Sequence, residues 1–119
     1  MARKAPYIKV QRLAAAILFI RGQKVMLDSD LAAIYGVSTA QLNQALQRNR
    51  ERFPLDFAFK LSASEFKSLR SQFVISNGRG GRRYSPWVFS EHGALMLASV
   101  LNSPIAFEAS IRYRVSIQE

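Results

Sequence analysis

Amide and guanidinium side chains recur at helical spacing in TAQLNQALQRNRERF, residues 39–53. On a helix of about 3.6 residues per turn, the apolar residues share one side, with Leu42 and Leu46 at its centre. Glutamine and asparagine can form paired hydrogen bonds with adenine, and arginine can do so with guanine. A solvated polar surface is the alternative to base recognition. The predicted DNA base contacts are Gln41, Asn43 at the border of the polar side, Gln44, Gln47 and Arg48.

The charge of the chain favours a polyanionic partner. The 119 residues include 17 Lys and Arg against 8 Asp and Glu, which gives a net charge of +9. Such an excess indicates nucleic acid first and an anionic membrane surface second. Basic side chains, and hydroxyl groups near the start of a helix, can hold DNA phosphates. The predicted phosphate contacts are Ser38, Thr39, Arg50, Arg52, Lys67, Arg70, Arg79, Arg82 and Arg83.

The segment SNGRGGRR, residues 76–83, places three of these arginines among three glycines. It does not match a nucleotide phosphate loop, because such a loop opens a helix, whereas strand-like RRYSPWVFS follows here. The glycines allow close approach of the backbone to a phosphate, and the arginines supply charge. The segment is therefore predicted to be a wing that touches the DNA backbone, and a surface loop with incidental charge is the alternative.

A nuclease site is the best catalytic alternative. Asp56, Glu65 and Lys67 form the pattern D-x8-E-x-K, in which two carboxylates could bind Mg²⁺. However, Glu65 lies three residues after Ser62, which is the spacing of a capping box at the start of a helix. His92 is the only histidine and there is no cysteine. We therefore expect no enzyme activity, no metal or other cofactor, and no small-molecule substrate.

The elements that must position these groups begin with a β-hairpin. Residues 1–12 are predicted to form a basic N-terminal arm, and the domain is expected to span residues 13–119. Apolar segments on either side of Arg21-Gly22-Gln23-Lys24 predict two strands joined by a tight turn.

Two helices are predicted after the hairpin. The first spans Asp30–Tyr35, is capped by Asp28 or Ser29 and is ended by Gly36. A second helix, capped by Ser38 or Thr39, is predicted to run to about Arg52, before Pro54. The pair has the spacing of a helix-turn-helix.

Strands and helices alternate over the rest of the chain. Residues 55–61 and 82–90 are predicted strands, and Pro86 indicates an edge position or a bulge in the second. Helices are predicted over residues 63–73, after Ser90, and from Pro104 with Ser103 as its cap. The sequence thus predicts an α+β fold, a small β-hairpin and sheet packed with about five helices that include a helix-turn-helix-like unit.

Four segments together resemble the ORF-6-N type of DNA-binding domain, which belongs to the KilA-N superfamily of phage, prophage and large-DNA-virus proteins. They are IRGQKVMLDSDLAAIYGV, LNQALQRNRERFPLDFAFKLSASEF, LRSQ and GGRRYSPWVFSEHGALMLASVLNS. The resemblance covers about residues 15–112. It implies a small α+β DNA-binding module, usually at the N-terminus of a longer phage-type regulator such as an antirepressor, and it does not imply an enzyme. Such domains commonly lead into a longer C-terminal helix or a second domain, whereas this sequence stops at Glu119.

A protein-interaction or oligomerisation module is the competing hypothesis, and a homodimer is left open. The final helix carries Ile105, Phe107, Ile111 and Val115, and a large apolar surface patch there would favour this alternative. The apolar run at residues 13–20 is far shorter than the roughly 20 residues that span a bilayer. It is predicted to be a buried strand. No membrane association is expected. The predicted location is the cytoplasm of a bacterial or phage-infected cell, in association with the nucleoid.

Overall fold

The computed structural model describes residues 16–72 and 85–118. Within them it contains a four-stranded antiparallel sheet and five α-helices, so the predicted α+β fold is confirmed. The strands are β1 (Ile17–Ile20), β2 (Gln23–Leu27), β3 (Ala58–Lys60) and β4 (Trp87–Phe89). The helices are α1 (Asp28–Tyr35), α2 (Thr39–Arg48), α3 (Ala63–Gln72), α4 (Glu91–Leu101) and α5 (Pro104–Gln118), with a 3-10 turn at Arg50–Arg52. The predicted basic arm lies outside the described residues.

The sheet separates two apolar layers. Its strand order is β1-β2-β4-β3, and successive side chains of a strand point to opposite faces. Met26 and Phe89 pack with α1, α2, α4 and α5 on one face. Val25 and Val88 pack on the other face with Leu69 of α3. Helix α3 therefore lies across the sheet from α2.

The hairpin turn is Arg21-Gly22, and both residues have positive φ, at 55° and 77°. This backbone matches the twist of two-residue hairpins. The prediction that β1 is a buried strand is wrong, because β1 is an edge strand that pairs only with β2. Its residues are half-buried, and Phe19 is 71% exposed.

Helix α1 begins two residues earlier than predicted. The helix starts at Asp28, and its N-terminus has no side-chain cap. The carboxylate of Asp28 instead turns inward and bonds to other elements, as described below. At the other end Gly36 adopts the left-handed conformation, at φ 74°. The amides of Gly36 and Val37 donate to the carbonyls of Ala33 and Ala32, which is the Schellman pattern that ends many helices.

Helix α2 ends at Arg48, so the prediction that it continues to Arg52 is wrong. The side chain of Asn49 donates from Nδ2 to the carbonyl of Ala45 at 2.8 Å, and residues 50–52 tighten into a 3-10 turn. This bond satisfies a carbonyl that the ended helix would leave open. The charged residues after Arg48 therefore do not continue the exposed side of α2.

Strands β3 and β4 are both shorter than the sequence predicts. The carbonyl of Pro54 accepts hydrogen bonds from the amides of Phe57 and Ala58, which holds the preceding residues in a turn and delays β3 to Ala58. Strand β4 lies between β2 and β3, so the edge position predicted from Pro86 is wrong. The proline precedes the strand and contributes only its carbonyl, which accepts from the amide of Leu61 at 3.0 Å.

The predicted caps of the last two helices are confirmed. Ser90 Oγ accepts from the amide of Gly93, and Ser103 Oγ accepts from the amide of Ala106. Ser90 also donates through its hydroxyl to the Asp56 and Phe57 carbonyls, at 2.8 and 3.2 Å. This bond ties the start of α4 to the turn before β3.

The predicted capping box of α3 is also present, and it is joined to the hairpin. Glu65 accepts from the amide of Ser62 at 2.7 Å and, in two parallel bonds of 2.8 and 2.9 Å, from Arg21. These hydrogen bonds hold the pKa of Glu65 far below its ordinary value, at about 2, and those from Arg21 contribute most. The Arg21 guanidinium also lies over the Phe59 ring, 4.1 Å from its centroid.

Acid should remove the contribution of Glu65 to stability. Its carboxylate has a pKa of about 2 in the folded protein and an ordinary value of 4.5, so the stabilisation is complete above pH 4.5 and is lost towards pH 2. Urea denaturation from pH 6 to pH 2 should show wild type and Glu65→Gln converging over this interval. Glu51→Gln, at an exposed position, is the control, and a pH-independent difference for Glu65→Gln would contradict the assignment.

Candidate nucleic-acid interface

The polar side of α2 faces solvent, as the helical spacing predicts. Gln44 lies at the centre of this side, and all members of the set are exposed. Leu42 and Leu46 on the opposite side are completely buried against the core. We call the exposed set the amide face, and its members are Gln41, Gln44, Gln47 and Arg48.

Gln41 and Ser38 are bonded to each other at the start of α2. Ser38 Oγ accepts from the amide of Gln41 at 3.0 Å, and Gln41 Oε1 accepts from the amide of Ser38 at 2.8 Å. This is a complete capping box, and the S-x-x-Q spacing that signals it was present in the sequence. A paired contact to adenine needs both the oxygen and the nitrogen of the glutamine amide. The capping bond holds the Gln41 side chain against the helix start and occupies one of the two lone pairs of Oε1, so it competes with such a contact.

Asn43 is half-buried and bonded within the protein. Its Nδ2 donates to Asp28 Oδ2 at 3.2 Å, and the same oxygen accepts from the amide of Trp87 at 3.3 Å. Asp28 itself is only 1% exposed. The base contact predicted for Asn43 therefore competes with a link that joins α2 to the start of α1 and to β4.

Arg50 is held beside the amide face by an aromatic ring. Its guanidinium lies 4.9 Å from the centroid of Trp87, and its Nη1 donates to Gln47 Oε1 at 3.3 Å. Lys60 pairs with Trp87 across the β3–β4 ladder and is exposed. The sequence did not single out Trp87 or Lys60 as interface residues, because only the sheet register brings them to the end of α2. Arg52 is exposed in the same 3-10 turn as Arg50.

The remaining predicted phosphate contacts divide into three groups. Thr39 is half-buried at the first position of α2, beside Ser38. Lys67 and Arg70 are exposed on α3, which lies on the opposite face of the sheet from α2. The structure does not bring these two together with the amide face. The predicted arginines of the glycine-rich segment, Arg79, Arg82 and Arg83, lie outside the described residues.

The profile of the ORF6N domain matches residues 15–100. The chain belongs to the ORF6N domain family. The match runs from the strand β1 almost to the end of α4 and includes the whole amide face, while α5 follows it. No curated protein and no solved structure gives a significant match.

The acidic side chains of this ORF6N domain, among them the two of the nuclease pattern, have other partners or positions. Glu65 is occupied by Ser62 and Arg21, and Asp56 is exposed in the turn before β3. Glu91 forms an ion pair with Arg114 at 2.9 Å, and His92 stacks on the ring of Phe57. Across residues 16–72 and 85–118, His, Asp and Glu form no group of three that could hold a metal ion. No helix in these two stretches is long and apolar enough to cross a membrane.

Proposed function

We propose that this ORF6N domain binds double-stranded DNA and that α1 and α2 act as a helix-turn-helix. The amide face carries the proposal, because it combines three glutamines and an arginine on the exposed side of a helix whose other side is fixed in the core. In this arrangement the left-handed turn at Gly36 sets α2 against α1, and the amide face enters the major groove.

The dimensions of α2 suit that groove. Its 10 residues rise about 1.5 Å each and give a length of about 15 Å. The major groove of B-form DNA is about 12 Å wide and admits an α-helix. Gln44, at the centre of the exposed side, and its neighbours Gln47 and Arg48 would contact base edges. Asn43 would position the helix through Asp28 instead.

A basic flank supports the same orientation. Arg50 and Arg52 follow the C-terminal end of α2, and Lys60 pairs with Trp87, on which Arg50 stacks. These three residues would contact phosphates beside the groove. Ser38 and Thr39 would do so at its N-terminal end, where helix amides also favour anions. The stacking of Arg50 on Trp87 restrains its guanidinium before DNA arrives.

The proposed role is to occupy a specific DNA sequence without catalysing a reaction on the DNA. Membership of the ORF6N family and the likeness to phage-type regulators support a role as a regulator or antirepressor module. Such a module works where phage or prophage genomes are transcribed, which is the bacterial cytoplasm.

A titration against salt tests the proposal. We expect log K to fall linearly with log salt, by about 0.9 for each phosphate contacted. Arg50→Ala and Arg52→Ala should each weaken all duplexes by a similar factor and lower the slope by about 1. Lys67→Ala removes the same charge on the far side of the sheet and is the matched control. Absence of duplex binding by the wild type at about 50 mM salt would refute DNA binding.

Selection from random duplexes provides the second arm of that experiment. Gln44→Ala and Arg48→Ala should change the selected sequence, because each removes hydrogen bonds to base edges worth about 1–3 kcal/mol of discrimination. Wild type and Lys67→Ala should select the same sequence. If both helix variants also retain the wild-type preference, α2 is not the reading helix.

One observation favours an additional protein-interaction role. Helix α5 exposes Phe107, Ile111 and Val115 at about half of their surface, which is the apolar patch expected of such a module.

A further inference from the structure

Helix α5 is apolar on two opposite sides. One side, with Ala106, Ala109 and Tyr113, is buried against the rest of the domain. On the other side Phe107, Ile111 and Val115 follow at intervals of four residues and are 51%, 49% and 51% exposed. A helix with apolar residues on two opposite sides can pack against a neighbour on each of them.

The exposed stripe is long enough for a helix to pack along it. The shallow groove along it is lined from Pro104 to Val115, so that 11 steps of about 1.5 Å give a length of about 16 Å. A second shallow groove, between the end of α4 and the start of α5, continues it beside Phe107 and includes Ala98 and Asn102. The second groove is partly polar, since Ser99 and Ser103 also line it. Both grooves are separate from the amide face, which belongs to α2.

The charges along one flank of the stripe indicate which partner helix can pack against it. Glu108 and Arg112 lie there one turn apart, 3.6 Å from each other, and their side chains are 68% and 39% exposed. A second copy that runs antiparallel, related by a two-fold axis near residue 110, places its Arg112 opposite Glu108 and its Glu108 opposite Arg112. The flank is therefore complementary to itself.

A parallel arrangement lacks this complementarity. In a parallel pair the two-fold axis runs along the helices. The flank with Glu108 and Arg112 would then lie against the opposite flank of the second copy, which carries Phe107 and Arg114. Arg112 would then face Arg114, which is already paired with Glu91, and neither Glu108 nor Arg112 would gain a partner of opposite charge. Like charges across an interface oppose association, whereas opposite charges fix register and direction.

We propose that two copies of this chain associate through antiparallel α5 helices, with Phe107, Ile111 and Val115 in the interface core and reciprocal Glu108–Arg112 pairs at its rim. Charged pairs around an apolar centre are the usual anatomy of a protein interface. The arrangement is closed and isologous, so it forms dimers and not filaments. It does not depend on DNA binding.

Sedimentation equilibrium of the full chain without DNA tests the apolar core. From about 1 µM to about 1 mM, the wild type should pass reversibly from monomer to dimer. Ile111→Glu should remain monomeric throughout. At about 1 µM, where the wild type is also monomeric, the two melting temperatures should agree because the Ile111 side chain is half exposed in the monomer. Leu55→Glu, at a 76% exposed apolar position in the turn before β3, should dimerise like the wild type. A monomeric wild type, or a dimeric Ile111→Glu, would overturn the proposal and leave the stripe to another partner.

A charge exchange tests the antiparallel direction. Glu108→Arg and Arg112→Glu should each weaken dimerisation by about tenfold, because each creates two like-charge pairs at the rim. An equimolar mixture of the two variants should recover wild-type association, since every pair in the mixed dimer is again opposite in charge. If the mixture associates no better than either variant alone, the antiparallel pairing is wrong. DNA titrations of the same variants show separately whether duplex binding is affected.

Discussion

Asp28→Ala should lower the free energy of unfolding by about 3 kcal/mol. The carboxylate is buried and accepts from the amide of Ser29 at 2.7 Å, from Asn43 Nδ2 and from the amide of Trp87. Alanine would leave the donors of Asn43 and Trp87 without this acceptor in the domain interior, and each such loss costs about 1–3 kcal/mol.

Urea denaturation of two further variants makes this prediction specific. Asp56→Ala removes an exposed carboxylate and should change the unfolding free energy by less than about 0.5 kcal/mol. Asp28→Asn keeps one acceptor oxygen but directs an amide group at one of the donors. Its free energy of unfolding should therefore lie between those of wild type and Asp28→Ala. A loss below about 1 kcal/mol for Asp28→Ala would show that these bonds are not the link that holds α2.

Gly93→Ala should destabilise the protein by about 3 kcal/mol or more. A Cβ atom at residue 93 would lie 1.9 Å from the carbonyl oxygen of Phe57 and 2.7 Å from its carbonyl carbon. The obstructing group is backbone, and the bonds from Ser90 to the same turn oppose its displacement. Close packing of α4 against this turn therefore requires glycine.

The sign of this effect is diagnostic. In an unobstructed helix the same change stabilises by about 1 kcal/mol, because alanine has the higher helix propensity. Ser99→Ala, on the exposed side of α4, is the control and should leave the melting temperature within a few degrees of wild type. A Gly93→Ala variant that melts at or above the wild-type temperature would contradict the close approach.

Local signals predicted the parts of the fold that local chemistry determines. The Ser62–Glu65 capping box, the caps at Ser90 and Ser103 and the turn at Gly36 were all visible as residue types at fixed spacing. The ends of α2 and β3 were not predicted, because they depend on hydrogen bonds from Asn49 and to the carbonyl of Pro54. Such bonds compete with helix and strand propensity and are decided by the surrounding structure.

The candidate interface was predicted in part for the same reason. Helical periodicity was sufficient to place Gln44 on the exposed side of α2. It could not show that Asn43 meets a buried carboxylate, which depends on how α1 and α2 pack, or that Trp87 lies beneath Arg50, which depends on the position of β4 in the sheet. Helix α3, with Lys67, packs through Leu69 on the far face of the sheet, although it follows α2 closely in sequence.

The capping box at the start of α2 has a consequence for how DNA preference could diversify. A change at Gln41 or Ser38 would alter specificity only while also weakening the helix start, which costs about 0.5–2 kcal/mol at a typical cap. Gln44 and Arg48 are exposed and carry no such structural duty at the helix start. Mutational drift and designed libraries should therefore find new DNA targets mainly through positions 44 and 48, with residue 41 retained as part of the scaffold.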